Sequence, residues 1–261
     1  MRISAFFMPF FTIVAGVLGF YMRLMERFNV FDPHTGLAAR GAFETKLLIV
    51  YSAVFIALVL LFSIRVAIKR TSLHGFENAF VTDQIVYPFA FVIIGLVWLG
   101  ATIKQYIDVS AMRAPPVQEL CFLILSALSA ISVVLFAVEM YQDPRRKLVY
   151  ALSIIPSIFM CYWLVMMYRL NASNPVLLAY VYQCLAIIAS ALAFYFTSGF
   201  VYDKPAPART IFAYFVSTYL CFVTLADGHP LSTTLIFVAI IAINTIYSSK
   251  LIKYLRRKEH A

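Results

Sequence analysis

Leu47–Ile64 has the sequence LLIVYSAVFIALVLLFSI, a run of 18 residues without a charged side chain. A run of this length crosses the hydrocarbon core of a bilayer as one helix, because lipid offers no partner for unpaired backbone groups. The run also lacks the alternation of apolar and polar residues that is typical of a barrel strand. It therefore predicts a transmembrane helix, in a chain whose main solvent is lipid.

Comparable apolar runs occupy most of the remaining sequence. Of the 261 residues, 63% are hydrophobic and 13% charged, whereas soluble domains have about 25% charged residues. We predict an all-α, polytopic bundle of about eight transmembrane spans, which forms a single integral membrane domain over residues 1–261. The predicted spans are about 3–22, 46–66, 86–106, 117–140, 148–168, 175–195, 210–225 and 231–251.

Lys and Arg set the predicted orientation of the bundle. With the N-terminus in the cytoplasm, the cytoplasmic segments hold twice as many Lys and Arg residues as the external segments. Short basic loops are retained on the cytoplasmic side during insertion. We therefore expect both termini to be cytoplasmic, and a multi-pass protein of a bacterial cytoplasmic membrane.

Charge and cysteine content exclude several classes of function. The net charge of +9 is spread over short loops and the C-terminal tail, where it favours anionic lipid head groups and no nucleic-acid partner. The four cysteines fall inside predicted spans without a CxxC pair, so neither a disulfide framework nor a zinc site is expected. The sequence has no HExxH, G-x-S-x-G or P-loop motif, and we expect no cofactor.

The predicted spans carry no ionisable side chain near their centres. Arg65 and Lys104 lie within a turn or two of a predicted span end, while Arg23 and Arg27 are placed in the loop after the first span. Carriers that use protons normally need a carboxylate or histidine inside the membrane. This pattern therefore argues against a proton-coupled carrier.

Neutral polar residues occupy the deepest positions instead. Gln183 lies in the sixth predicted span, Thr224 at the end of the seventh and Asn244 in the eighth. Such residues form hydrogen bonds between membrane helices. They are also candidates to line a site for an uncharged or amphiphilic ligand, and the sequence leaves both interpretations open.

Two external loops bring Asp and His together in the sequence. The first holds Asp32 and His34, and the last holds Asp227 and His229. Carboxylates and imidazoles on one face can bind a divalent metal or transfer protons. The alternative is a turn, because Asp-Pro and Asp-Gly are common turn formers, and we expect no bound metal on this evidence.

Three stretches carry a resemblance to known proteins. They are NVFDPHTGL (29–37), RLNASNPVLLAYVYQCLAIIASALAFYFTSGFVYDKPAPAR (169–209) and LADGH (225–229). They resemble segments of uncharacterised multi-pass inner-membrane proteins of low-GC Gram-positive bacteria. The resemblance implies a compartment and implies no activity.

Three hypotheses on function follow from the sequence. The first is a transport-related or partner membrane subunit that binds an uncharged or amphiphilic ligand between its helices. The second is a sensor or scaffold that signals through cytoplasmic loops, where residues 71–84 include a short amphipathic helix whose apolar side, with Phe80, docks a cytosolic partner or lies on lipid. The third is an outer-leaflet enzyme that uses the Asp/His loops. The partners expected are the lipid bilayer and a membrane or cytosolic protein.

Overall fold

The computed structural model describes residues 2–32, 37–39, 41–71, 80, 85–111, 116–142, 147–172, 176–202 and 204–257. Within these ranges, eight helices are long and apolar enough to cross a membrane, which confirms the predicted all-α class and span number. The elements in chain order are α1 Arg2–Val30, α2 Phe43–Lys69, β1 Arg70–Thr71, α3 Val86–Ser110, α4 Val117–Gln142, α5 Lys147–Asn171, the 3-10 helix Leu177–Ala179, α6 Val181–Val201, α7 Pro207–Leu225, α8 Leu231–Tyr254 and β2 Arg256–Arg257.

The largest error of the sequence prediction is the end of the first span. The prediction ends it near Met22, whereas α1 continues to Val30. The segment MRLMERF after Tyr21 consists mainly of good helix formers and has neither Gly nor Pro, so nothing in it ends a helix. Arg23 and Arg27, expected in an external loop, are therefore helical residues.

The sixth predicted span is displaced as well. Helix α6 begins at Val181 and ends at Val201, about six residues later than predicted at each end. The 3-10 helix Leu177–Ala179 precedes it and closes with the Tyr180 N–H donating to the Leu177 carbonyl. Short 3-10 turns of this kind are common as connectors to α-helices.

Helix α7 lies at the centre of the bundle, where it packs against α1, α2, α6 and α8. Helices α3 to α8 form a closed ring, since each packs on the next and α8 returns to α3. The pair α1–α2 attaches outside this ring, through α7 and α8. The two helices that connect both parts are thus the last two in the chain.

Aromatic side chains fill the inside of the ring. Trp98 contacts Phe159 and Phe194, and Trp163 stacks on Phe237 with 5.0 Å between ring centroids. Tyr247 contacts further rings, namely those of Phe80, Phe91, Phe136 and Tyr214. Since these groups are buried, the middle of the ring is a packed core and not a water-filled pore.

Close backbone approach joins α1 to α7. A Cβ atom on Gly16 would lie 2.5 Å from Phe222, and one on Gly19 would lie 2.8 Å from Val223. Small residues at helix contacts allow this approach in membranes, where lipid removes the hydrophobic drive for association. The α1–α7 contact therefore depends on glycine at these two positions.

The bundle has two distinct ends. At one, Arg70–Thr71 and Arg256–Arg257 form a short antiparallel ladder that joins the end of α2 to the end of α8. We name this end the C-terminal face. At the other, the end of α1 meets the turn 226–230 between α7 and α8, and we name it the turn face.

Lys250 is buried near the C-terminal face, although the sequence places it among the charges of the tail. Its Nζ donates to the Phe80 carbonyl oxygen at 3.0 Å and lies 4.0 Å from the centroid of the Tyr87 ring. Phe80 is itself fully buried, and so the prediction that its side chain faces lipid or a cytosolic partner is wrong. The rest of the predicted amphipathic helix, residues 72–79, lies outside the described residues.

Candidate functional site

Arg23 and Glu26 belong to the buried side of α1. Buried positions of this helix recur every three or four residues, at Thr12, Ala15, Gly19, Arg23, Glu26 and Val30. This spacing marks one face of a helix, and Arg23 and Glu26 continue it. Both side chains are almost fully enclosed, with exposed fractions of 1% and 0%, so the bundle interior near the turn face contains an ion pair.

Arg23 connects three elements through its guanidinium group. Its Nε donates to Asp227 Oδ1 at 2.7 Å, and its Nη1 donates to Glu26 Oε2 at 2.7 Å. Its Nη2 donates to the Leu178 carbonyl at 2.8 Å, in the segment before α6. Arginine suits this role because its planar group presents donors in several fixed directions.

An aromatic ring covers the guanidinium on the side of α6. The Arg23 Cζ lies 4.8 Å from the centroid of Tyr182, and 5.7 Å from that of Phe31. Cations are attracted to the faces of aromatic rings, more strongly where water is excluded. These rings help to hold the cation in an enclosed position.

A chain of polar groups extends from Asp227 into the turn. The Thr224 hydroxyl lies 3.1 Å from Asp227 Oδ2 and 3.0 Å from His229 Nε2. A hydroxyl has one proton, and when Thr224 donates it to Asp227, the hydroxyl must accept from a protonated Nε2 of His229. The order of donation is then His229 to Thr224 to Asp227, which also accepts from Arg23.

The surroundings of His229 disfavour its charged form. Burial lowers the pKa of His229 below its usual value, and the positive charges of Arg27 and Arg23 act in the same direction, while Asp227 opposes them. Burial has this effect because a charged imidazole loses more hydration than a neutral one. At neutral pH His229 is therefore neutral and serves as a hydrogen-bond donor.

Glu26 has an unsatisfied oxygen. Its Oε2 accepts from Arg23, while Oε1 is buried and has no hydrogen-bond partner among the described residues. Arg23, Glu26, Asp227, Thr224 and His229 together form what we call the charge cluster. With one cation, two carboxylates and a neutral imidazole, its net charge is −1.

Asp227 and Gly228 also shape the turn that supports the cluster. Gly228 has a φ of +68°, a left-handed conformation that glycine adopts without a steric penalty. A Cβ atom there would lie 2.8 Å from Arg27 Nη1, whose group donates to the Ala226 carbonyl at 2.8 Å. Asp227, Gly228 and His229 thus form a turn, and the same turn places the Asp227 and His229 side chains in the charge cluster.

The structure brings together some of the sequence candidates and separates others. Thr224, Asp227 and His229 meet in the charge cluster. Asn244 lies about 20 Å further along α8, fully buried, and its Nδ2 donates to Ser217 Oγ at 2.8 Å. Gln183 is buried near the start of α6.

Of the two Asp/His loops, the structure describes Asp227 and His229 of the last loop and only Asp32 of the first. Asp32 is exposed after α1, and its N–H donates to the Leu37 carbonyl at 3.0 Å. His34 lies outside the described residues, so its distance from His229 is not defined. Within the described ranges, no group of three or more His, Cys, Asp and Glu side chains is arranged to hold a metal ion.

Arg23 and Glu26 are the site residues that sequence reasoning misses. The signal that identifies them is the continued three-to-four spacing of the α1 stripe through residues 19, 23, 26 and 30. The early predicted end of the span hides this signal.

Comparison with known proteins identified no relative of the chain. No protein-family model, no curated protein and no solved structure matches the chain.

Proposed function

We propose that this chain is a transport-related membrane protein that moves an uncharged or amphiphilic solute, and that the charge cluster takes up and releases a proton in the cycle. The observation that carries the proposal is that buried Arg23 forms ion pairs with both Glu26 and Asp227, while one Glu26 oxygen has no hydrogen-bond partner among the described residues. Ionisable groups enclosed in a membrane bundle are costly, and they typically mark ion pathways or proton relays.

Glu26 is the proposed proton acceptor. A proton on Oε1 leaves Oε2 free to accept from Arg23, and the net charge of the cluster changes from −1 to zero. Glu26 faces Arg23, which donates to its Oε2, and Tyr182 of α6, which is close enough to be affected by its charge, while Asp227 is joined to it through Arg23. A neutral cluster is less costly to move through a low-dielectric interior.

The position of the cluster supports a role in coupling. It lies where α1 meets the α7–α8 turn and the segment before α6. A change in its charge therefore acts on the contact between the α1–α2 pair and the ring of α3 to α8. Relative movement of two helix groups around a fixed site is the usual basis of alternating access.

The compartment is part of the same proposal. The distribution of Lys and Arg supports a cytoplasmic C-terminal face and an external turn face. The resemblance of residues 169–209 and 225–229 to Gram-positive inner-membrane proteins supports a bacterial cytoplasmic membrane. Protons would then enter the cluster from the outside, where the electrochemical gradient across that membrane supplies them.

The test is solute-driven proton movement in vesicles. The full-length protein is reconstituted with a trapped pH-sensitive dye, and a panel of polyols, neutral amino acids and uncharged amphiphiles is added outside. We expect at least one of these to acidify the lumen, and we expect Glu26→Gln to reduce the response more than tenfold.

Glu44→Gln is the matched control, because Glu44 lies at the start of α2 on the same face and is only partly buried. It should leave the dye response unchanged. The proposal is wrong if no solute moves protons through the unmodified protein, or if Glu26→Gln and Glu44→Gln behave alike.

A further inference from the structure

A groove of about 540 Å³ opens between α5 and α6 at the C-terminal face. Its apolar wall includes Ile154, Phe196 and Tyr195, whose side chain is 61% exposed. Its upper edge is formed by Lys204, in the connection between α6 and α7, and by Arg209, in the first turn of α7. We call it the basic groove.

The charges that the described residues contribute to the basic groove have one sign. Among the described residues that line it, the charged ones are Lys204 and Arg209, both exposed and both positive. Neither is part of a described ion pair. A groove with cations at the membrane surface and an apolar wall below has the chemistry that complements an anionic amphiphile.

The two serine hydroxyls that line the groove are already used within the protein. Ser157 Oγ donates to the Ala191 carbonyl, and Ser198 Oγ contacts the Ser153 and Phe194 carbonyls. The serines therefore offer little to a ligand, and Lys204 and Arg209 are the charged groups that the described lining presents to it.

Gly199 fixes the connection against the groove. The Lys204 N–H donates to the Gly199 carbonyl at 2.8 Å, and a Cβ atom on Gly199 would lie 3.0 Å from the Lys204 carbonyl oxygen. Any larger side chain must push this backbone outward. The glycine at position 199 of α6 therefore determines where the Lys204 backbone lies.

The tyrosines locate the groove at the membrane surface. Tyr202 lies at the end of α6, and Tyr195 lies about two turns deeper. Tyrosine is enriched at this depth because its ring is apolar and its hydroxyl is polar. The groove therefore extends from the head-group level toward the acyl chains, and it is open to lipid along α5 and α6.

We propose that the basic groove is a binding site for an anionic phospholipid, with the phosphate between Lys204 and Arg209 and the acyl chain along Ile154, Phe196 and Tyr195. The site is separate from the charge cluster, which lies at the opposite face, and does not depend on the proposed transport function. Each cation near an anionic head group strengthens binding about fivefold.

The test uses the full-length protein in membranes that contain spin-labelled phosphatidylglycerol or spin-labelled phosphatidylcholine. Electron spin resonance gives the fraction of each lipid that is immobilised on the protein. We expect phosphatidylglycerol to be preferred over phosphatidylcholine, and Lys204→Gln with Arg209→Gln to remove most of this preference. Inorganic phosphate in the buffer should not compete at the same ionic strength, because the acyl chain contributes to binding.

Arg65→Gln is the control for a general surface charge, since Arg65 is an exposed arginine near the same face on α2. It should leave the preference unchanged, and Arg209→Gln alone should reduce it. Gly199→Ala tests the geometry without a change in charge, and it should weaken the preference by displacing Lys204. Equal immobilisation of both lipids by the unmodified protein, or an equal effect of Arg65→Gln and Arg209→Gln, would overturn the proposal.

Discussion

Arg23 Nε donates to Asp227 Oδ1 at 2.7 Å, and this bond joins residues that are 204 positions apart in the chain. It ties the first membrane helix to the turn between the last two. Both side chains are shielded from water, with exposed fractions of 1% and 3%. The two partners therefore depend on each other far more than an exposed ion pair would.

Removal of Arg23 should destabilise the protein strongly. Arg23→Gln leaves two buried carboxylates without their cation, and breaking a buried pair in this way costs about 3–5 kcal/mol. Glu26→Gln has the opposite effect on charge, because it brings the cluster from −1 to zero, so its cost should be much smaller. Reversible unfolding in mixed micelles measures both, and Arg65→Gln should change nothing. Equal costs for Arg23→Gln and Glu26→Gln would contradict the assigned charges.

The stability of the protein should fall on mild acidification because of His229. The pKa of its imidazole is lowered in the folded state, so the unfolded chain binds its proton more readily. Stability from this group is present above about pH 6.5 and is lost as the pH falls toward the folded pKa, with a slope of at most about 1.4 kcal/mol per pH unit.

The melting temperature of unmodified protein and of His229→Gln, measured between pH 5 and 8, tests this expectation. Glutamine retains an N–H donor for Thr224 and does not titrate. The curve of His229→Gln should be flatter than that of the unmodified protein below pH 6.5. Superimposable curves would mean that His229 is equally protonated in both states.

Glycine substitutions should separate tight helix contacts from open ones. Gly16→Ala places a Cβ atom 2.5 Å from Phe222 and should cost about 1–3 kcal/mol, since α1 and α7 must move apart. A Cβ atom on Gly100 meets nothing within 4 Å, so Gly100→Ala should be neutral or stabilise by about 0.5–1 kcal/mol. Unfolding in detergent measures the difference, and a cost at Gly100 equal to that at Gly16 would contradict the described packing.

The orientation of the bundle can be tested by labelling single cysteines in a cysteine-free chain. Asp32→Cys lies on the turn face and Lys204→Cys on the C-terminal face, and both positions are exposed. A membrane-impermeant maleimide should label Asp32→Cys in intact cells and Lys204→Cys only after the membrane is opened. The reverse pattern would place the termini outside.

Helix number and type follow from the sequence because apolar runs in lipid have few alternatives. Leu231 and Val117 begin helices as predicted, since each follows a proline that marks the start. The end of α1 is different, because good helix formers carry the helix eight residues beyond the last clearly apolar segment.

The candidate site could be predicted only in part from the sequence, because α1 continues beyond its predicted end. Asp227 and His229 attract notice as neighbours in one loop, and Thr224 as a polar residue at a span end. Arg23 and Glu26 have the composition of a loop, and only their partner 204 positions away explains why they are buried. The argument against proton coupling took no account of these two buried residues because of this misplacement.

The central position of α7 has a consequence for biogenesis. Helices leave the ribosome in chain order. The pair α1–α2 makes its main contacts with the rest of the bundle through α7 and α8. During synthesis the first pair and the group α3 to α6 therefore reside in the membrane as separate units. They are joined only when the final hairpin is inserted, and a nascent chain arrested before Pro207 would contain two unattached helix groups for quality-control proteases to recognise.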